Sequence, residues 1–293
     1  MNNNVSFNSY IDNCMNYDKQ LIIYFDIDGT LINNNGDYKI CINKINRLKK
    51  RGVLISIATG RSFVEANKII EDIKPNFPCI LSDGKVIFDY EKKYYMDCVF
   101  LPLNEYRNFR KAFDEEFYFV EEYENYYNVT SRKVSRMFAI SLNKASEKIY
   151  INKNISGKPP ISVYIASKKL LSYSKAENLI KSMDFKPNKI VIENYGNYWF
   201  KAVHKNIKKE HGYEKIIKNI NHQKYQIGFF GDGLNDLEMM KRVDIKFIMG
   251  NAHNKLKNIR KGIILTESLS TSLNNLLSKY VENESEDTFE DSI

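Results

Sequence analysis

Two aspartates, Asp26 and Asp28, directly follow the apolar run Leu21–Phe25, and Gly29 comes next. A short apolar run that ends at turn residues predicts a buried strand. Ligands of open α/β sheets bind at the carboxyl ends of such strands. Two carboxylates this close can hold a divalent cation, or can act as a nucleophile and a general acid. An ordinary turn also uses Asp and Gly, so this stretch alone leaves both interpretations open.

A second acidic stretch repeats the pattern, because Asp232 and Asp236 follow the apolar run Gln226–Phe230 and a glycine. If both runs are strands of one parallel sheet, four carboxylates converge on one edge and repel unless a cation compensates them. Oxygen ligands favour Mg²⁺ as that cation. The predicted metal site consists of Asp26, Asp28, Asp232 and Asp236.

Two further features are candidates for binding an anion. Thr59-Gly60-Arg61-Ser62 lies between an apolar run and a helical pattern, where a hydroxyl and free backbone N–H groups would bind an anion. A turn with a serine cap explains the same residues equally well. Lys205 lies at the predicted start of a later helix, where a solvated surface lysine is the simpler interpretation of the residue by itself.

Taken in order, these stretches resemble the four motifs of the haloacid dehalogenase-like superfamily. The residues after the fourth motif, Met239-Met240 and Met249-Gly250-Asn251-Ala252, resemble its Cof-type phosphatase branch, and the long insertion before the third motif resembles a C2-type cap. The four motifs are Asp26-Ile27-Asp28-Gly29-Thr30, Thr59-Gly60-Arg61, Lys205, and Gly231-Asp232-Gly233-Leu234-Asn235-Asp236.

The resemblance implies catalytic roles for three residues. Asp26 would be the nucleophile that takes the phosphoryl group, and Asp28 would protonate the leaving oxygen and then activate water. Lys205 would neutralise charge on the nucleophile and the phosphate. Lys201 is the alternative lysine, but the spacing at Lys205 is more similar to the family pattern.

The resemblance also implies the binding residues. Asp232 would hold Mg²⁺ together with Asp26 and the Asp28 backbone carbonyl, and Asp236 would anchor the outer shell of the metal. The phosphate group would be bound by Thr59, Gly60, Asn235 and Lys205.

One stretch departs from the family pattern. The third strand of the family usually leads into Asn-Gly-Ala, whereas this sequence has Ser82-Asp83-Gly84-Lys85. The changes to Asp83 and Lys85 predict altered substrate contacts.

The resemblance, together with the acid at Asp28, predicts a Mg²⁺-dependent phosphatase. Its substrate would be a small phosphorylated metabolite, either a sugar phosphate or a phosphorylated cofactor or precursor. A phosphomutase with the same chemistry and a non-catalytic binding protein on the same scaffold are the alternatives. A nucleic-acid binder is not expected, because no nucleic-acid motif accompanies the positive charge.

The elements that must position these residues alternate in a strand–helix rhythm, which predicts an α/β fold with a Rossmann-like parallel sheet flanked by helices. The rhythm is interrupted, and the interruption predicts an inserted α+β cap domain with one exposed sheet face. The predicted boundaries are a flexible lead-in at 1–18, a discontinuous core at 19–88 and 198–281, the cap at 89–197, and an acidic tail at 282–293.

Composition agrees with a globular protein of about two domains, because 43% of the 293 residues are hydrophobic and 27% are charged. The net charge of +8 is compatible with phosphate-bearing partners. None of the four cysteines forms a CxxC pair, so zinc and redox motifs are not supported. Neither a signal peptide nor a transmembrane run is expected, which predicts a cytoplasmic protein without a membrane partner.

Overall fold

The structure is a computed structural model that describes residues 14–282 except 34–35, 142–147, 152–156, 170, 172, 184–186 and 197–198. Most of the predicted lead-in and nearly all of the predicted acidic tail lie outside the described residues. The described chain divides into two compact units. The core unit runs to Arg61, from Ala66 to Met96 and from Lys208 onward, and the inserted unit comprises 62–65 and 97–207.

A five-stranded parallel sheet forms the centre of the core unit, in the order β14-β13-β12-β1-β2. Its strands are β1 (Gln20–Phe25), β2 (Leu54–Ile57), β12 (Tyr225–Gly231), β13 (Ile245–Ile248) and β14 (Gly262–Ile264). A smaller sheet combines β3 (Cys79–Leu81), β4 (Val86–Asp89) and β5 (Tyr94–Cys98). A parallel bridge between Ala58 and Ile80 places β3 beside the end of β2.

Helices cover this sheet and bury its apolar strands. They are α1 (Tyr38–Lys50), α2 (Phe63–Ile73), α6 (Lys209–Ile217), α7 (Leu237–Arg242), α8 (Asn254–Lys257) and α9 (Leu269–Glu282). Alternate residues of a strand point to opposite faces, and β1 is buried on both, as predicted for its continuous apolar run. Ile22 and Tyr24 pack in one cluster with Tyr213 of α6 and Met240 of α7.

Three stacked phenylalanines lie on neighbouring strands close to the carboxyl edge of the sheet, where Phe25 and Phe230 are register partners. The Phe230 ring lies 5.0 Å from that of Phe25 and 4.1 Å from that of Phe247, nearly parallel to both. The stack spans β1, β12 and β13. The residues that follow Phe25 and Phe230 therefore emerge side by side.

The inserted unit contains a six-stranded sheet in the order β10-β11-β9-β6-β7-β8. Its strands are β6 (Phe117–Glu122), β7 (Tyr127–Val129), β8 (Ile149–Ile151), β9 (Ser162–Ser167), β10 (Ile190–Gly196) and β11 (Trp199–His204). The strands pair antiparallel except β7 with β8. The helices are α3 (Leu103–Phe113), α4 (Arg132–Ser141) and α5 (Tyr173–Ser182).

The central strands of this sheet have no exposed face, which corrects the prediction. Phe119 of β6 packs in a cluster with Phe109 of α3, on one side of the sheet. Val120, the next residue, packs in a second cluster with Val134 and Phe138 of α4. The helix α4 lies in the stretch 121–150, where the sequence pattern gave no prediction.

Buried charges inside the inserted unit are paired within the unit. Glu121 accepts hydrogen bonds from Arg110 (2.9 Å) and Asn128 (2.8 Å), and also from the Tyr106 hydroxyl. Lys201 lies 3.2 Å from Glu122 and is almost completely buried. Because a buried charge is costly unless it is paired, these groups serve the packing of their own sheet.

The predicted α/β class, with a helix-flanked parallel sheet and an inserted mixed unit, is confirmed. The units divide at 96/97 and 207/208 rather than at the predicted 88/89 and 197/198, because most of the β3-β4-β5 sheet belongs to the core unit. Among the residues that the structure describes, no helix combines the length and apolar character needed to cross a bilayer.

Two of the four free cysteines, Cys41 and Cys79, are completely buried. Burial raises the pKa of each thiol to about 12. The reactive thiolate is then about one part in ten thousand at pH 8, so iodoacetamide should leave both residues unmodified in the folded protein. Peptide mass spectrometry after native and denatured labelling measures this, and native labelling of either residue at the denatured rate would contradict it.

Candidate active site

The carboxyl ends of β1 and β12 bring the two acidic stretches together. Asp26 follows β1, and its backbone N–H donates to the Phe230 carbonyl at 2.9 Å. Asp232 follows β12 directly. Because the two strands are adjacent and parallel, their ends meet at one edge of the sheet, as the sequence analysis predicted.

A completely buried lysine joins two of these aspartates. The Lys209 ammonium lies 2.6 Å from Asp26 Oδ1 and 2.5 Å from Asp236 Oδ1. All three side chains are almost fully excluded from solvent. Charge-assisted hydrogen bonds of this length, shielded from water, fix the Asp26 carboxylate in one orientation.

The other oxygen of Asp236 organises the loop after β12. Asp236 Oδ2 accepts hydrogen bonds from the backbone N–H groups of Asp232 (3.0 Å) and Gly233 (2.8 Å). Asp236 therefore links the loop that carries Asp232 to the lysine. It thereby anchors the loop of the acidic cluster, whereas the role at the outer shell of a metal that the resemblance implies stays a prediction.

The side chain of Asp232 is held by two further residues. Thr30 Oγ1 donates to Asp232 Oδ1 at 3.0 Å, and Asn251 Nδ2 lies 3.3 Å from Oδ2. Asn251 also donates to the Gly29 carbonyl at 3.0 Å. The sequence analysis quoted Thr30 and Asn251 within motifs but assigned neither a role. Their position in the motifs was the only available signal.

Burial dominates the electrostatics of the cluster. It raises the pKa of Asp26 well above the usual carboxyl range, although Lys209 opposes the shift. Burial alone would lower the pKa of Lys209, but the attraction of Asp236 and Asp26 outweighs it and raises that pKa. Burial also raises the pKa of Asp232. One ammonium group thus stays charged among more carboxylates than it can neutralise.

Three carboxylates could share one cation here. Oxygen atoms of Asp26, Asp232 and Asp236 all lie within 4.8 Å of one another. Asp28, which the sequence analysis also placed in the metal site, is outside this cluster. The chain passes close to the carboxylates at Gly29, where an added Cβ would lie 2.1 Å from Asp232 Oδ2.

The side chain of Asp28 instead forms a bidentate ion pair with Arg61. Arg61 donates through Nε to Asp28 Oδ2 at 2.8 Å and through a terminal nitrogen to Oδ1 at 2.5 Å. The Asp28 side chain is 63% exposed. The sequence analysis missed this partner. Such a pair fixes the orientation of an otherwise mobile carboxylate.

Three of the four predicted phosphate-binding residues, Thr59, Gly60 and Asn235, lie at the same edge of the sheet, beyond β2 and β12. Thr59 is fully buried, and its hydroxyl accepts a hydrogen bond from the Arg61 N–H at 3.1 Å. Asn235 is exposed and donates to Asp83 Oδ1 at 3.1 Å. An added Cβ on Gly60 would lie 2.9 Å from the same Asp83 oxygen. The loops after three strands therefore meet around Asp83.

The lysine prediction needs correction, because Lys209 rather than Lys205 contacts Asp26. Lys205 is an exposed residue of the turn after β11. The alternative, Lys201, pairs with Glu122. The predicted helix starts at Lys205, whereas α6 starts at Lys209. The family spacing selected Lys205, whereas the lysine that contacts Asp26 is the first residue of α6.

The two lysines give matched variants. Lys209→Met leaves the buried carboxylates of Asp26 and Asp236 without their cation, so the free energy of unfolding should fall by roughly 3 kcal/mol without added metal. Lys205→Met removes an exposed charge and should change it by less than about 0.5 kcal/mol. Urea denaturation followed by circular dichroism measures both. Equal losses, or a larger loss for Lys205→Met, would contradict the assignment.

Comparison with known proteins agrees with this architecture. The sequence profile of the haloacid dehalogenase-like hydrolases matches residues 23–270. A glucosyl-3-phosphoglycerate/mannosyl-3-phosphoglycerate phosphatase of Persephonella marina is 23% identical over 266 residues, which cover 84% of this chain and 91% of that protein.

Solved structures show the same fold. A Thermotoga maritima protein superposes with a TM-score of 0.75 at 20% identity, covering 89% of this chain and 97% of that one. A sugar phosphatase of subclass IIB of the haloacid dehalogenase superfamily superposes with a TM-score of 0.63 at 19% identity, covering 90% and 99%. These matches confirm the resemblance to the haloacid dehalogenase-like superfamily, including its Cof-type branch and its cap. The chain belongs to the haloacid dehalogenase-like hydrolase family.

Proposed function

We propose that the protein is a Mg²⁺-dependent phosphatase that hydrolyses phosphomonoesters of small metabolites through an aspartyl-phosphate at Asp26. The observation that carries this proposal is the contact of the buried Lys209 ammonium with Asp26 Oδ1. The bond to the buried Lys209 ammonium fixes one oxygen of the Asp26 carboxylate. The orientation of the second oxygen is then fixed as well. This is the arrangement that an in-line nucleophile needs.

Two proton transfers complete the proposed reaction. An Asp26 oxygen forms a bond to phosphorus while the bond to the leaving oxygen breaks, and Asp28 donates a proton to that oxygen. Asp28 then takes a proton from water, the water oxygen bonds to phosphorus, and the bond to Asp26 breaks. The exposed Asp28 side chain can meet both leaving group and water once its pairing with Arg61 loosens.

The donor set fits a hard divalent cation. Three carboxylates with oxygens within 4.8 Å of one another exceed the charge of the single Lys209 ammonium, and Mg²⁺ prefers oxygen ligands. Asp26 and Asp232 would hold the ion directly with the Asp28 carbonyl, and Asp236 would anchor its outer shell. When bound, the ion would offset the mutual repulsion of carboxylates and phosphate.

The proposed substrates are sugar phosphates or phosphorylated cofactors and their precursors. The phosphatase activity of the Persephonella marina relative on sugar-bearing phosphoglycerates supports the sugar class. Thr59, Gly60 and Asn235 would bind the phosphate oxygens. We also place the enzyme in the cytoplasm, where its four free cysteines would stay reduced.

The decisive experiment is phosphate release from a panel of phosphometabolites and p-nitrophenyl phosphate, with Mg²⁺ and with EDTA. The wild-type protein should release phosphate only with Mg²⁺. Asp26→Asn should lower kcat by at least about 10³-fold because the nucleophile is lost. Normal release by Asp26→Asn would exclude the mechanism. Isomerised sugar phosphate with little free phosphate would instead identify a phosphomutase, and neither product would favour a binding protein.

A pair of glycine variants tests the metal site. Gly29 and Gly52 have nearly equal positive φ angles, 82° and 81°, but only Gly29 has a close neighbour, Asp232. Alanine should cost about 1 kcal/mol of backbone strain at either position. Only Gly29→Ala should also displace the Asp232 carboxylate, so it alone should weaken Mg²⁺ binding, by at least tenfold in calorimetric titration. Equal Mg²⁺ affinity in both variants would contradict the assignment of Asp232.

A further inference from the structure

The turn after β3 adopts an unusual backbone conformation. Ser82, Asp83 and Gly84 have successive φ angles of 50°, 52° and 84°, all in the left-handed region. Left-handed conformations cost a residue with a side chain about 1–2 kcal/mol each. Strain of this kind persists only where surrounding structure enforces it, and it clusters at functional sites.

Several bonds enforce the turn. The Lys85 ammonium, 2% exposed, donates to the Ser82 carbonyl at 2.9 Å. The N–H groups of Ser82 and Asp83 donate to the carbonyls of Arg61 (2.8 Å) and Thr59 (3.1 Å). The turn is therefore tied to the predicted phosphate-binding loop at its backbone. Both residues that depart from the family pattern, Asp83 and Lys85, take part in it.

On its other side the turn touches the start of α6. An added Cβ on Gly84 would lie 2.1 Å from the Lys208 carbonyl oxygen and 3.2 Å from Lys209 Cα. The Asp83 carboxylate accepts from Asn235 and lies against Gly60, and its charge contributes to the raised pKa of Lys209. Asp83 thus adds a further carboxylate beside the phosphate-binding residues.

We propose that Asp83 is a specificity-determining residue that selects substrates by charge. Its carboxylate repels a second anionic group next to the phosphate, so the enzyme favours monophosphate esters whose leaving group is uncharged or cationic. In this it would differ from its Persephonella marina relative, whose phosphoglycerate substrates carry a carboxylate. This inference rests on the proposed phosphatase function. An asparagine at this position would still accept the Asn235 hydrogen bond through its amide oxygen. The negative charge is therefore what the aspartate adds.

The test compares two ligands that differ mainly in one charge. Glycerol 3-phosphate has a hydroxymethyl group where 3-phosphoglycerate has a carboxylate. The inhibition constant of each is measured against p-nitrophenyl phosphate hydrolysis at low ionic strength. Asp83→Asn should lower the constant of 3-phosphoglycerate about tenfold more than that of glycerol 3-phosphate, and 0.5 M salt should reduce the difference.

The matched control is Asp89→Asn, which removes the same charge at the opposite end of the β3–β4 hairpin, where Asp89 Oδ1 caps the Lys92 N–H. It should leave the ratio of the two constants unchanged. An unchanged ratio in Asp83→Asn, or an equal shift of both constants, would overturn the proposal, because a purely structural residue affects both ligands alike.

A failure of the proposed phosphatase function can be distinguished from a failure of the Asp83 proposal. If the wild-type protein does not hydrolyse p-nitrophenyl phosphate with Mg²⁺, the phosphatase proposal fails, and calorimetric titration of the same two ligands then decides the role of Asp83. A tenfold change in their affinity ratio in Asp83→Asn would support charge selection. No change, or no binding of either ligand, would overturn it.

Discussion

The bridge from Lys209 to Asp26 and Asp236 is the constraint on which the core unit depends. Three charged side chains without solvent are tolerated only if each finds its partner, because an unpaired charge in that position costs several kcal/mol. The bridge requires β1 and β12 to be neighbours in register. It also requires α6 to begin at the sheet edge. Fold and site are therefore specified by the same contacts.

The stacked phenylalanine rings supply the apolar counterpart of that constraint. Phe25 immediately precedes Asp26, Phe230 lies two residues before Asp232, and the two rings stack on each other. All three stacked rings are completely buried, so the strands approach the site through an apolar interior. In surroundings of low polarity, the hydrogen bonds of Lys209 to Asp26 and Asp236 are stronger. The repulsion among the excess carboxylates is also stronger, and a divalent cation would offset it.

The two units use buried charge for different purposes. In the inserted unit, Arg110 of α3 and Lys201 of β11 pair with glutamates of β6, and the pairs connect elements of that unit. In the core unit, carboxylates outnumber the lysine that faces them. An excess of negative charge is relieved by a bound cation or by protonation, which the raised pKa values of Asp26 and Asp232 favour, whereas balanced pairs need neither. This contrast distinguishes the proposed catalytic cluster from the structural pairs.

Local sequence determined the strands and the acids that follow them. The apolar runs before Asp26 and Asp232 predicted strands of one parallel sheet, since such runs are buried on both faces and the strand ends converge on one edge. The order of motifs was sufficient to predict the family. Helix boundaries were less certain, because several polar residues can start a helix. The helix predicted to start at Lys205 starts at Lys209, and the family spacing that favoured Lys205 did not reveal this.

Only the tertiary structure decided which side chains meet. The pairing of Arg61 with Asp28 and of Asn235 with Asp83 joins residues 33 and 152 positions apart in the chain, and no local pattern encodes such contacts. The covered second face of the inserted sheet was equally hidden, because α4 lies in a stretch without a readable period. The periodicity of a sequence indicates which faces of a helix or strand are buried. The partner of a given side chain depends instead on how the loops after separate strands pack together at the carboxyl edge of the sheet.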